Sequence, residues 1–288
     1  MRKFLAAGAA LALTTTMMLA HAPAHAAAAP AAGSLVEFEM MTWPEVKAAI
    51  AAGKTTALIY TGGTEQRGPQ NVNGGHTLLG RYTVKAIAEK LGNAIAMPVL
   101  PYTPNRASAD LPGTLGLTNE ILGEILERIA EESITSGFKN VVLMGDHGGG
   151  QGPLGPKNVY DTIAHKLDAK YAAQGIHVYY CDQVYAPANA EFDKETMAKG
   201  LPLGAHAGIS DTSEMMYLEH GDNWVRKDQL KNAMGTPLGN DGKPTGPDPH
   251  NGISGDARPS SVELGKLMFD TKVAYAVKQI QGFIPSKK

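Results

Sequence analysis

The stretch TALIYTGGTE, residues 56–65, decides how this chain folds and where its chemistry lies. Thr56–Tyr60 is a short run without charge, which is typical of a buried strand, and a glycine-containing loop that reaches Glu65 follows it. A second stretch repeats this arrangement, because the run Asn140–Met144 leads into the loop GDHGGG, which contains His147. Two predicted strands therefore each end beside a side chain that can bind a metal ion or a proton.

Helical patterns alternate with the strands along the chain. The predicted helices are Thr42–Ala51, Leu78–Leu91, a segment from Thr118 to the stop at Gly137, Asn158–Ala173, Ser210–Glu219 and Ser260–Ile280, and the other strands are Ala94–Leu100 and Ile176–Tyr180. This alternation predicts an α/β fold with a parallel or mostly parallel sheet covered on both faces. Ligands of such sheets bind beyond the carboxyl ends of the strands, where Glu65 and His147 fall. The Gly- and Pro-rich segment Gly235–Arg258 is predicted to be a long surface loop.

The first residues read as a targeting signal. Arg2 and Lys3 precede the uncharged run Phe4–Ala20, and the small-residue pattern at 24–26 is typical of a cleavage site. We predict a signal peptide over 1–26, cleaved after Ala26, then a linker over 27–34 and one domain over 35–288, with the mature chain in the periplasm or secreted. A membrane anchor is the alternative, but the run is short for a spanning helix.

Composition excludes several classes of protein. The chain is 43% hydrophobic and 19% charged with a formal net charge of −2, and it has no basic cluster of the kind that binds nucleic acid. Because no other long apolar run occurs, we expect no membrane association of the mature chain. Cys181 is the only cysteine, which excludes an intramolecular disulfide and a metal site built from several thiolates.

Acidic and histidine side chains in glycine-rich or irregular segments are the candidates for chemistry. They are Glu65, His76, His147, His206 and Asp211. A carboxylate with two imidazoles is a common zinc set in hydrolases, since it leaves a position open for water. The alternative is structural, with Glu65 capping a helix or pairing with Arg67. A phosphate-binding loop and a serine-hydrolase elbow are disfavoured, because their sequence patterns are missing.

Five motifs in order resemble those of the creatininase (creatinine amidohydrolase) family. They are GTEQRGP at 63–69, LPGTL at 111–115, GFKNVVLMGDHGG at 137–149, HAGISDTS at 206–213, and GISGD at 252–256 with SVELG at 261–265. The resemblance implies a three-layer α/β/α sandwich with a mostly parallel sheet, often assembled as a homohexamer. It also implies hydrolysis of amide or cyclic amide C–N bonds in a small-molecule substrate with a divalent metal, commonly zinc or manganese.

The metal positions depart from the family pattern at two places. Glu65 and His147 match family ligands, and Asp211 stands where the family has a Glu. Arg67 replaces a ligand His, and a guanidinium has no lone pair for a metal. His76 replaces an Asp that bridges two ions in the family, which an imidazole cannot do. We therefore predict one ion, most suitably zinc with manganese as the alternative.

The resemblance also assigns roles to the remaining residues. Glu65, His76 and His147 would hold the ion, with Asp211 as a fourth ligand or a partner of the ligands. His206 matches a family His implicated in proton transfer and would protonate the departing nitrogen.

A general base and an oxyanion contact complete the predicted site. Asp211 or Asp146 would be the base, and Arg67 would stabilise the oxyanion or hold a substrate carboxylate. The alternative function is a non-catalytic, periplasmic ligand-binding protein of the same fold.

Overall fold

A four-stranded parallel sheet lies at the centre of the fold. The computed structural model describes residues 35–106 and 108–284. Strands β1 (Thr56–Thr61), β2 (Ala94–Ala96), β3 (Asn140–Gly145) and β4 (His177–Tyr180) pair in the order β2-β1-β3-β4. All six residues of β1 are buried, since β1 has a strand on either side and helices on both faces. The predicted signal peptide and linker lie outside the described residues.

Helices cover both faces of this sheet. They are α1 (Trp43–Ala51), α2 (Gly75–Leu91), α3 (Asn119–Thr135), α4 (Val159–Tyr171), α5 (Ala186–Ala198), α6 (Ile209–Leu218) and α7 (Val262–Phe283). Alternate residues of β1 separate two cores. Ile59 packs in the core that α3 and α4 cover, whereas Leu58 packs in the core that α2 and α7 cover. The predicted three-layer arrangement is confirmed.

Apart from shifts of one to three residues at the ends of elements, three segments differ from the sequence prediction. The helix α5 was not predicted, because Phe192 is the only large apolar residue in its buried face. The strand β2 ends at Ala96 rather than Leu100, since Pro98 has no amide hydrogen for a ladder. The segment Gly235–Arg258 is not wholly a surface loop, because Ile253 and Ala257 are buried.

The sequence predicts that the mature chain does not associate with a membrane. Over residues 35–106 and 108–284, no helix combines the length and apolar character needed to cross a bilayer.

Candidate metal and catalytic site

The register of β1 and β3 brings two of the predicted ligands together. Thr61 pairs with Gly145, so the loops that carry Glu65 and His147 leave the same edge of the sheet. The helix α2 begins three residues before the predicted start, which places His76 in its first turn. One ligand atom from each of Glu65, His76 and His147 lies within 4.8 Å of the other two.

Glu65 is the centre of the cluster and is 2% exposed. Its Oε1 lies 2.9 Å from His76 Nε2, and its Oε2 lies 3.3 Å from His147 Nε2. Ser108 Oγ donates to Oε2 at 2.9 Å, and the Asn105 amide donates to the same oxygen. Burial opposes ionisation, but the hydrogen bonds from His147 and His76 outweigh it and hold the pKa of Glu65 below its usual range. Glu65 is therefore a carboxylate around which the other groups are arranged.

His76 is held from its far side by Asp146. Its Nδ1 lies 2.8 Å from Asp146 Oδ2, so that Nε2 faces Glu65. Burial and the Arg67 charge disfavour protonation of this ring, yet its two carboxylate contacts outweigh both and raise the pKa of His76. A histidine that ligates a metal through one nitrogen commonly donates from the other to a carboxylate. The contact of His76 Nδ1 with Asp146 matches that pattern and leaves Nε2 for a metal.

Asp146 is also a predicted general base, but its surroundings favour a different role. It is buried, it does not line the cavity described below, and its Oδ1 accepts hydrogen bonds from Lys272 and Tyr60. Burial favours its neutral form, but the Lys272 charge and the His76 contact hold the pKa of Asp146 well below its usual range. A carboxylate with both oxygens engaged and no place in the cavity lining is better suited to position His76 than to act on a water in the cavity.

Both ring nitrogens of His147 have a polar contact. Gly149 N–H donates to its Nδ1 at 2.9 Å, which leaves the ring hydrogen on Nε2, facing Glu65. Thr103 Oγ1 lies 3.0 Å from the same Nδ1 and can accept a hydrogen from it when Nε2 binds a metal. His147 therefore remains competent as a ligand.

Arg67 lies inside the protein and not in the cavity. It is fully buried, with Nη2 3.0 Å from Asp211 Oδ2 and Nη1 3.6 Å from Glu65 Oε1. These ion pairs are close but poorly directed, and none of its three nitrogens has a well-oriented hydrogen-bond acceptor among the described residues. This position outside the cavity lining argues against the predicted contact of Arg67 with a substrate carboxylate or the oxyanion. Its charge instead neutralises Glu65 and Asp211 from behind.

Asp211 supports the site without joining the group of three ligands. It lies in the first turn of α6, where the helix dipole favours a negative charge. Its Oδ2 accepts from Ala207 N–H at 2.9 Å in addition to the Arg67 contact. Burial would raise its pKa, but Arg67 lowers it. Ala207 has the left-handed φ of 54°, so Asp211 holds a strained residue directly after His206.

His206 presents one free nitrogen to the cluster. Its Nε2 lies 2.7 Å from the Gln66 carbonyl oxygen, which can only accept, so the ring hydrogen is on Nε2. Burial lowers the pKa of His206, which keeps the ring neutral near pH 7. The lone pair of Nδ1 is thus available, 3.5 Å from Glu65 Oε1. His206 is placed to accept a proton within the site.

A cavity of about 490 Å³ opens over the cluster, a volume that suits a small organic molecule. Glu65, His147 and His206 line it, and the segment Gly235–Arg258 contributes Thr236 and His250.

Tyr185 also lies on the cavity wall. Its hydroxyl is so near Gly148 that a Cβ there would be 3.0 Å away, and it has no hydrogen-bond partner among the described residues. Burial, with smaller contributions from nearby carboxylates, raises the pKa of Tyr185 to about 12, so the hydroxyl remains a donor.

Several side chains that contact the candidate site or line its cavity were missed from the sequence. They are Asn105, Ser108, Tyr185, Glu214 and Lys272. One signal was available, since Lys272 is spaced four residues from Met268 and four from Ala276, in the apolar stripe of α7. A lysine within such a stripe indicates a buried partner.

The family model described as "Creatinine amidohydrolase" matches residues 39–280. The chain belongs to the creatininase family. This confirms the resemblance and the predicted class of enzyme, a creatininase-family amidohydrolase.

One curated relative of this family member is a creatinine amidohydrolase of Pseudomonas putida. It is 30% identical over 112 residues, which are 37% of this chain and 43% of that protein. The match thus spans less than half the length of that relative.

Solved structures of creatininases extend the likeness to nearly the whole fold. A creatinine amidohydrolase structure is 24% identical with a TM-score of 0.69, covering 88% of this chain and 99% of that one. A structure called "Creatininase Mn" is 24% identical with a TM-score of 0.68, covering 87% and 99%. Two mutant creatininase structures, one of "Zn-Zn type" and one complexed with creatine, are each 25% identical with TM-scores of 0.67, covering 87% and 99%.

Proposed function

We propose that this chain is an exported hydrolase of amide or cyclic amide C–N bonds that works with one bound zinc ion. The observation that carries the proposal is the convergence of Glu65, His76 and His147 within 4.8 Å, with Glu65 and His147 lining the cavity. One carboxylate and two imidazoles suit Zn²⁺. Manganese is the alternative ion, because creatininases are known with each metal.

The charges of the buried cluster support a single ion. Its ionisable members other than histidine are the carboxylates Glu65, Asp146, Asp211 and Glu214 and the cations Arg67 and Lys272. Burial raises the pKa of Glu214 to about 7, so with its histidines neutral, the form in which imidazole binds a metal, the cluster carries one or two negative charges near neutral pH. One divalent cation balances that charge. A second would leave an excess of buried positive charge, which is costly.

The protein's own groups account for binding and proton transfer. When bound, the metal would polarise the substrate carbonyl and make a water acidic. His206 Nδ1 would accept the proton of the attacking water and deliver it to the departing nitrogen. The Tyr185 hydroxyl would donate to the carbonyl oxygen as negative charge develops there. Glu65 remains ionised, since its pKa lies well below neutral.

The substrate class follows from the family and the cavity. A cavity of about 490 Å³ admits a small-molecule amide, and one creatininase structure contains creatine. Export rests on the signal pattern over 1–26, and assembly as a homohexamer rests on the family resemblance alone. Both belong to the proposal.

Metal content tests the proposal directly. We expect the mature chain to bind one zinc per protomer by elemental analysis, and Glu65→Ala and His147→Ala to lose it. His165→Ala is the matched control, because His165 is an exposed histidine on α4. Two ions per chain would contradict the single-ion site, and none would contradict the metal-dependent mechanism.

Turnover separates the two candidate functions. The zinc-loaded protein is incubated with a panel of lactams, creatinine and N-acyl compounds, and release of the ring-opened or amine product is measured. Binding of a compound without turnover would favour the ligand-binding alternative, whereas loss of turnover in His206→Gln with zinc retained would support the proton-transfer role.

A further inference from the structure

A buried series of charged side chains extends from the candidate metal site into the closing helix. Lys272, near the middle of α7, has its Nζ 2.6 Å from Asp146 Oδ1 and 2.6 Å from Glu214 Oε2. The three side chains are each 4% exposed or less. None of them lines the cavity. They are thus part of the interior, one step behind the residues that face a substrate.

Burying this series of charged side chains carries a large desolvation free energy. Burying a lysine between two carboxylates commonly stabilises a protein no better than apolar side chains of similar size. The same face of α7 is otherwise apolar, with Met268 and Ala276 on either side of Lys272. A methionine at 272 would continue that face. Stability alone therefore does not account for the lysine.

The geometry at Asp146 shows what the lysine does. The two oxygens of this carboxylate are divided between two tasks. Oδ1 accepts from Lys272 at 2.6 Å and from the Tyr60 hydroxyl at 3.2 Å, while Oδ2 contacts His76 Nδ1 at 2.8 Å. With Oδ1 fixed, the plane of the carboxylate is fixed, and so is the ring of His76, whose Nε2 then lies 2.9 Å from Glu65.

We propose that Lys272 is a positioning residue for the metal site. Through Asp146 it holds His76 with Nε2 directed at the ion, and Glu214 in turn fixes the Lys272 ammonium. The proposal rests on the proposed function, since it assumes that His76 binds a metal. It assigns the closing helix a part in metal affinity although no residue of that helix reaches the cavity.

Zinc affinity of the full mature chain tests this role. Lys272→Met keeps an unbranched side chain that is one heavy atom shorter, and it removes the charge and the hydrogen bonds of the lysine. We expect its zinc dissociation constant, measured by competition with a chromophoric chelator, to rise 10- to 100-fold, the usual effect of losing support for a ligand. Val273→Ala is the matched control. It alters the adjacent buried residue of the same helix without touching the charged series, and we expect affinity within about twofold of wild type.

A second readout distinguishes positioning from general destabilisation. Co²⁺ replaces zinc, and its visible absorption reports the ligand geometry. Lys272→Met should change this spectrum, whereas Val273→Ala should leave it unchanged even if its unfolding temperature is lower. Unchanged zinc affinity and an unchanged cobalt spectrum in Lys272→Met would overturn the proposal.

The other possible outcomes also test whether Lys272 positions the metal site. If Lys272→Met does not fold, Glu214→Gln replaces it, because it removes the carboxyl group whose Oε2 accepts from the Lys272 ammonium on the side opposite Asp146. A rise in the zinc dissociation constant of at least about threefold supports the role, and no change overturns it. A wild-type chain that binds no zinc refutes the proposed function and the role of Lys272 with it. Zinc binding with equal affinity in wild type and variants refutes the positioning role alone.

Discussion

Replacing Arg67 by His and His76 by Asp should convert the site from one ion to two. The double change returns the two positions to the residues that the family pattern has there. It removes a buried guanidinium that lies between Glu65 and Asp211, and it adds a carboxylate that can bridge two cations.

The charge balance gives the expected number of bound ions. Each substitution makes the cluster more negative by one charge when histidine is neutral, so the excess rises from one or two negative charges to three or four. Two divalent cations match that value. Without metal, loss of the buried cation beside two carboxylates should cost ~3–5 kcal/mol, on the order of 10 °C in melting temperature for a domain of this size.

Metal stoichiometry and melting temperature are the assays. We expect two zinc ions per double-mutant chain against one for wild type. Zinc in 100-fold excess over each dissociation constant should return about 2.7 kcal/mol per site. Arg67→His alone should be destabilised without gaining a full second ion. A double mutant that binds one ion, with a melting temperature no more sensitive to zinc than wild type, would refute the claim that these two residues exclude the second metal.

Three further substitutions probe the cavity and the core. Tyr185→Phe should lower kcat by ~10²-fold with zinc content unchanged, as for loss of one oxyanion donor, while Tyr179→Phe should leave turnover unaffected. Burial raises the pKa of Asp193 to about 6 from a model-peptide value near 3.9, so ionising this carboxyl costs the folded state. The Asp193 contribution to stability, measured as wild type minus Asp193→Asn in urea unfolding, should therefore fall as pH rises from 4 to 6. At pH 7 Asp193→Asn should be more stable by ~1 kcal/mol, after allowance for the partial exposure of Asp193. No such gain at pH 7 would show that Asp193 is better solvated than the structure implies. Gly75→Ala would place a Cβ 2.7 Å from the buried guanidinium and should cost ~1–3 kcal/mol, whereas at Gly74, where a Cβ meets nothing within 4 Å, Ala should be nearly neutral.

The parallel sheet and two candidate ligands could be predicted because short-range pattern determines them. Runs such as Thr56–Tyr60 identify buried strands, and the carboxyl ends of neighbouring parallel strands must meet, which brings Glu65 and His147 together. The direction of the Arg67 side chain could not be predicted in this way. Whether a guanidinium faces the cavity or the interior depends on how α2 packs against α6, and on the space that Gly75 leaves beside it.

The residues that support Glu65 could not be predicted from the sequence for a related reason. Asn105 and Ser108 lie in an irregular segment with no periodicity, and only tertiary packing brings them to Glu65. The helix α5 has few large apolar residues, so its pattern was too weak to detect. Lys272 is the exception, since a charged residue at helical spacing within an apolar stripe is a feature of the sequence itself.

The distance along the chain between Glu65 and His147 has a consequence for the order in which the protein matures. The two residues are 82 positions apart and meet only when β1 has paired with β3. An unfolded chain would have to close that long loop before both could bind one ion, at a large entropic cost. Metal binding would therefore follow folding, and it would take place in the compartment where folding is completed. Each tenfold rise of free zinc above its dissociation constant would then add about 1.4 kcal/mol to the native state alone.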